Sequence, residues 1–153
     1  TIDSLVEDTL KFMHKHSLDF TRFFRSLASL APQAGVSENF ANWQRSQFFP
    51  IALGDETQVS DAQAWLTQWG EAAKHHNDSM DTWRSALNAV NPAFVLRNHL
   101  LQQAIDSAQQ GDNGELNRLF KALSEPYEEK GLPAHYMAQP PDWAKELVLS
   151  CSS

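Results

Sequence analysis

The sequence predicts an all-α fold, an irregular multi-helix bundle of about six to seven helices followed by a proline-rich extended C-terminal tail. Three observations predict it. Apolar residues recur at three- and four-residue intervals through most of the chain, capping and breaking residues punctuate those runs, and no alternating apolar segments flank a two-residue turn.

Leu5, Val6, Leu10 and Met13 give the first helix an apolar face over Asp3 to Lys15, with Asp3 able to cap its first turn. A second starts near Asp19, gathers Phe20, Phe23, Phe24, Leu27 and Leu30 on one side, and ends before Pro32, so the two read as a helical hairpin. Phe40, Trp43, Phe48 and Phe49 mark a shorter aromatic segment, helical in its first half and stopped by Pro50. Ser60 with Gln63 has capping-box spacing ahead of Ala62, Trp65, Leu66, Trp69 and Ala73, which predicts a helix through about Lys74. The polar break His75 to Asp78 precedes a helix carrying Trp83, Leu87 and Val90.

Asn91-Pro92 interrupts that helix and also suits the N-cap and first position of the next, because proline lacks only an N–H that would be unpaired there. The longest helix is therefore predicted from Pro92 to about Gln110, burying Phe94, Leu101, Ala104, Ile105 and Ala108. Gly111 can end it, and Asp112 with Glu115 repeats the capping-box pattern before Leu116, Leu119, Phe120 and Leu123. Pro126 stops that helix. Beyond it periodicity fades apart from a short turn at Asp142 to Glu146. The expected organisation is a helical domain over 1–125 and a tail over 126–153.

Composition bounds the partners. Among 153 residues, 42% are hydrophobic and 20% charged, which suits a globular domain with a usable core. The net charge is −7 and the 12 Lys and Arg are scattered, so no basic stripe meets a phosphate backbone and nucleic acid is not an expected partner. The most apolar stretch, around Phe48 to Leu53, is broken by Pro50 and falls short of the roughly twenty residues a membrane span requires. The chain opens at Thr1 inside what reads as a helical turn, with no initiator Met and no signal-peptide pattern, and is expected to be a piece of a longer protein.

Chemistry-bearing motifs are sparse. The glycines are dispersed, with neither G-x-G-x-x-G nor G-x-x-x-x-G-K-[ST], and there is no G-x-S-x-G elbow or H-E-x-x-H helix. His14 and His16 lie two apart and so point to different sides of a helix, and they read as ordinary surface histidines. His75 and His76 with Asp78 and Asp81 fall at a polar break where solvated side chains are expected. Trp65 and Trp69 sit one turn apart and read as core before aromatic platform. Arg97-Asn98-His99 is a polar cluster expected in the second turn of the longest helix, where it reads equally as a solvated face or as a structural dock whose guanidinium forks onto a carboxylate or onto terminal carbonyls, and either before catalysis.

Cys151 is the sole cysteine, so no internal disulfide is possible and any covalent partner lies elsewhere. No Lys, Arg or His stands within four residues of it to favour the thiolate, Lys145 being six positions away, and on these grounds alone it reads as an idle exposed thiol before a reactive one.

The spacing Asn91-Pro92-x-x-x-Leu96-Arg97-Asn98, then Ala104-Ile105-x-x-Ala108-x-x-Gly111-Asp112, then Leu116, Leu119, Leu123 and Pro126 resembles the C-terminal region of the selenoprotein O family, also called the YdiU family. The ending Pro140-Pro141-x-Trp143 with Ser150-Cys151-Ser152-Ser153 is similar to that family's C-terminus, whose third residue from the end is cysteine or selenocysteine. The resemblance implies a kinase-like parent that transfers AMP from ATP to Ser, Thr or Tyr hydroxyls of protein substrates with Mg or Mn. It implies a cytoplasmic location in a bacterium and a mitochondrial one in a eukaryote. The family's nucleotide and metal residues belong to an upstream kinase-like core, and no position here matches them. The resemblance thus implies an accessory region partnered by that core, with Cys151 as a redox contact to a thiol partner and Asn91, Arg97, Asn98 and Trp143 as structural docking residues. Two other readings stand beside it: an autonomous helical interaction module that recruits proteins through its aromatic middle, and a thiol enzyme acting through Cys151.

Overall fold

Eight α-helices and two 3-10 turns, with no strand among the described residues, build the all-α architecture that the periodicity predicts. The structure is a computed structural model that describes residues 1–146. Its backbone contacts divide the chain into two units that meet at Asn91 and Pro92 in sequence.

The first unit contains α1 (Ile2–Lys15), α2 (Phe20–Ser26) continued by a 3-10 turn at Leu27–Ser29, α3 (Val36–Gln44), α4 (Glu56–Ala73) and α5 (Met80–Val90). Side-chain oxygens start most of these helices by accepting an otherwise orphaned N–H: Asp19 from Arg22, Asp55 from Gln58 and Ser79 from Thr82. The caps correct two expectations. Thr1, not Asp3, caps α1, and α4 starts at Glu56, so Ser60 and Gln63 lie inside the helix. The first turn of α4 carries polar residues without apolar periodicity, which hid it behind the later box.

The long α4 packs on α1 and α3, and an aromatic core forms where they meet. The Phe23 ring lies 5.9 Å from Trp43 and 5.4 Å from Trp65, centroid to centroid and near edge-on, the arrangement that ring quadrupoles favour. Two of the buried indole N–H groups find hydroxyls, whereas that of Trp83 is buried without a hydrogen-bond partner. Trp43 Nε1 donates to Ser26 Oγ at 2.6 Å and Trp65 Nε1 to Thr9 Oγ1 at 2.9 Å, and both hydroxyls pass their own protons to backbone carbonyls one turn back. Asn39, buried, clamps the preceding loop by accepting from Ala31 N and donating to the carbonyls of Ala31 and Ala34. Buried Arg25 reaches the end of α5, where it donates to the carbonyls of Asn88 at 3.1 Å and Asn91 at 2.8 Å.

The second unit is smaller. α6 (Asn98–Gln109) and α7 (Gly114–Ser124) form an antiparallel pair joined by a turn in which Gly111 takes φ +92, a conformation open to glycine. α8 (Ala134–Met137) adds Tyr136 to a core of Phe94, Leu100, Ala104, Leu119 and Ala122.

Helix α6 starts at Asn98 rather than Pro92, because the N–H groups of Ala93 and Phe94 donate to the Pro126 carbonyl at 2.8 and 3.1 Å. That long-range pair holds residues 92–97 out of the helix. Asn91 is accordingly the C-cap of α5 and not the N-cap of α6. The expected capping box of α7 also forms differently: Asp112 accepts from Gly114 N at 2.9 Å, while Glu115 turns to Tyr136 and Arg118. Leu119 is buried as the periodicity predicts, but Phe120 and Leu123, from the same apolar set, are exposed at 65% and 41%, and Ala122 faces the core.

Candidate functional site

The second unit brings together the polar residues that stood out around Arg97. Arg97 is the N-cap of α6 in extended conformation, Asn98 is the first helical residue, and the two share a shallow hollow with Leu96, His99, Pro140 and Ala144. The cluster therefore opens the helix instead of occupying its second turn. Trp143, in the 3-10 turn Asp142–Glu146, sets its ring edge-on to His99 at 5.8 Å. Asn98 and Trp143 are exposed, whereas the His99 side chain is buried. Burial pushes the His99 imidazole below its ordinary pKa, and the nearby positive charges of Arg97 and His135 add to that, so the ring is neutral at pH 7.

Asn91 belongs to the first unit, where its carbonyl accepts from Arg25. Cys151 lies outside the described residues.

A second polar cluster was not singled out from the sequence. Glu115 in the first turn of α7 accepts from the Tyr136 hydroxyl with one oxygen and from Arg118 with the other, and His135 stands 3.8 Å away. The Tyr136 hydrogen bond, followed by Arg118, holds the Glu115 carboxyl below the usual carboxylate range, against the opposing effect of burial. Burial and the Glu115 carboxylate push the Tyr136 phenol well up, and its ring stacks on Phe94 at 5.3 Å. An anionic acceptor with both oxygens engaged anchors a chain segment, and it is not poised to exchange protons near neutrality. Glu115 was read only as a capping residue, and Tyr136 lay in a segment without periodicity. The one available signal is an aromatic residue between Pro133 and Pro140.

The remaining candidates resolve in the first unit. His14 is exposed, while His16 turns inward and meets Asp61 Oδ2 at 2.7 Å beside Lys15 at the same distance. These two hydrogen bonds, Lys15 first, hold the Asp61 carboxyl below its ordinary value. His75 and His76 are exposed. Trp65 and Trp69 are core residues at 4% and 8% exposure, so the aromatic middle offers no platform there. No helix among the described residues is long and apolar enough to cross a membrane.

A family sequence model described as "Protein adenylyltransferase SelO" matches residues 1–124. The chain belongs to this SelO family. It is 37% identical over 150 residues to the protein nucleotidyltransferase YdiU of Pseudomonas fluorescens strain SBW25, covering 97% of this chain and 28% of the relative. The YdiU protein of Bordetella avium is 38% identical over 156 residues, with 99% and 28% covered, and that of Pseudomonas aeruginosa strain LESB58 is 32% identical over 150 residues, with 98% and 28%. The chain thus spans 28% of the length of these SelO relatives.

Membership of the SelO family implies ATP and a metal ion in the full protein. The described residues do not fit either group. The described residues hold no set of three His, Cys, Asp or Glu able to share a metal ion, and the sequence has no glycine-rich loop to cradle a phosphate. No step of adenylyl transfer is assigned to them.

Proposed function

We propose that this chain is the C-terminal helical accessory region of a protein adenylyltransferase. In that reading the parent's upstream kinase-like core joins the α-phosphorus of ATP, with Mg or Mn, to a Ser, Thr or Tyr oxygen of a protein substrate and releases pyrophosphate. The helices described here buttress that core and carry the tail. The observation that carries the reading is the SelO family match over residues 1–124 in a chain that spans 28% of its relatives' length. The hollow beside Arg97 and Asn98, with Trp143 set against His99, is the feature that directs the tail, and Asn91 is the junction between the two units.

A direct test compares AMP incorporation from labelled ATP into acceptor protein by the longer polypeptide and by these 153 residues alone. Incorporation by the longer protein only is expected; incorporation by the short chain overturns the assignment.

Cys151 is assigned the redox contact to a thiol partner. Cys151→Ser in the longer protein is expected to change how AMP transfer responds to oxidant, and an unchanged response removes that role.

A further inference from the structure

Helix α1 has more apolar surface than its own unit covers. At about 100° per residue, Phe12, Leu5 and Thr9 point toward the core, while Ile2, Val6 and Leu10 form a ridge, a row at i, i+4, i+8 that turns progressively away from it along the flank. Those three are 75%, 53% and 52% exposed. Every other described element of the first unit exposes at most one large hydrophobic residue, so the ridge is a feature of α1 alone. Val6 and Leu10 were expected on the buried face; the structure buries Phe12 and Thr9 in their place.

We propose that this ridge seats an amphipathic helix with a Lys- and Arg-bearing rim, supplied by the part of the SelO-family polypeptide outside these 153 residues. The inference rests on the reading of the chain as one segment of a longer adenylyltransferase. Two observations select the occupant. Rows at i±4 are the ridges that interlock in the commonest class of helix–helix packing, which points to a helix. Asp3 and Glu7 follow Ile2 and Val6 by one residue and so line the outer edge of the ridge, while Lys11, the one cation on that flank, already faces Glu7 at 3.9 Å and Asp8 at 3.7 Å. An acidic edge beside an apolar ridge favours a basic-rimmed partner and disfavours an anionic surface. The segment that meets these terms has ample length to come from, since the relatives extend far beyond the 28% matched here.

The test places a photo-cross-linker at the ridge in the longer polypeptide, as Val6→p-benzoylphenylalanine, and maps the product by peptide mass. The expected product is intramolecular and joins Val6's position to a Lys- or Arg-bearing peptide outside residues 1–153. Cross-linking at dimer mass, to a peptide within 1–153, or no more than from a control at exposed Glu38 overturns the proposal. Val6→Asp with Leu10→Asp gives a second readout: a fall in melting midpoint that is larger in the longer polypeptide than in the 153-residue chain. Equal shifts in both overturn it. AMP transfer by a protein that fails the cross-linking test would remove the docking site alone. An intact native mass equal to that of the 153 residues would remove the underlying reading.

Discussion

The two units solve the same problem with different means. The first fills its interior with stacked and edge-on aromatics and gives the buried indoles of Trp43 and Trp65 hydroxyl acceptors, while tolerating a buried Trp83 indole N–H with no hydrogen-bond partner. The second has a core of six buried residues and closes it with one polar clamp, Tyr136 on Glu115, that ties a one-turn helix to α7. Large apolar burial is robust to loss of any single hydrogen bond, whereas a small core depends on each of its few attachments. The second unit should therefore be the more sensitive to polar change and to pH.

The largest expected effect breaks the first unit. Trp43→Ala empties a fully buried site and should cost about 3–5 kcal/mol, read as faster hydrogen exchange in peptides from α1 to α4. Peptides from α6 and α7 should change little; equal acceleration in both would show that the units unfold as one and the contrast is wrong. Tyr136→Phe keeps the ring but removes the hydroxyl from Glu115, and should cost about 1–2 kcal/mol with exchange rising in α7 and α8.

Acid sharpens the comparison further. The folded pKa of His99 lies below its ordinary 6.5, so the unfolded chain binds more protons as pH falls through 6.5 and stability is lost from there downward. Glu115, with its folded pKa below the ordinary 4.5, contributes above 4.5 and loses that contribution as pH falls further. The second unit should thus loosen in two steps, the upper one absent in His99→Gln. In the first unit Asp61 titrates only below its ordinary 3.8. The smallest effect is Asp61→Asn, a surface change expected to leave the urea midpoint nearly unchanged.

Much of this contrast was legible in the sequence and some of it was not. The start of α2 at Asp19, the end of α5 before Pro92 and the burial of Trp65 and Trp69 all follow from local chemistry: a carboxylate cap, a missing N–H, a helical stripe. The beginning of α6 did not, because Asn91-Pro92 is a sound local start that loses to hydrogen bonds from Ala93 and Phe94 to Pro126. The clamp was hidden for the same reason, since Glu115 and Tyr136 are 21 residues apart and neither has a local pattern that names the other. Long-range polar pairs decide the second unit, and periodicity carries no record of them. The site expectations divided similarly. Arg97, Asn98 and Trp143 converge around His99, a neighbour noticed only as part of a polar run, while Asn91 falls in the other unit.

The accessory role proposed for these helices has them support adenylyl transfer without holding the nucleotide. Calorimetric titration of ATP with Mg into the 153-residue chain and into the longer polypeptide tests it most directly. The account predicts saturable binding by the longer polypeptide and none by the chain alone; saturable binding by the chain alone would contradict it.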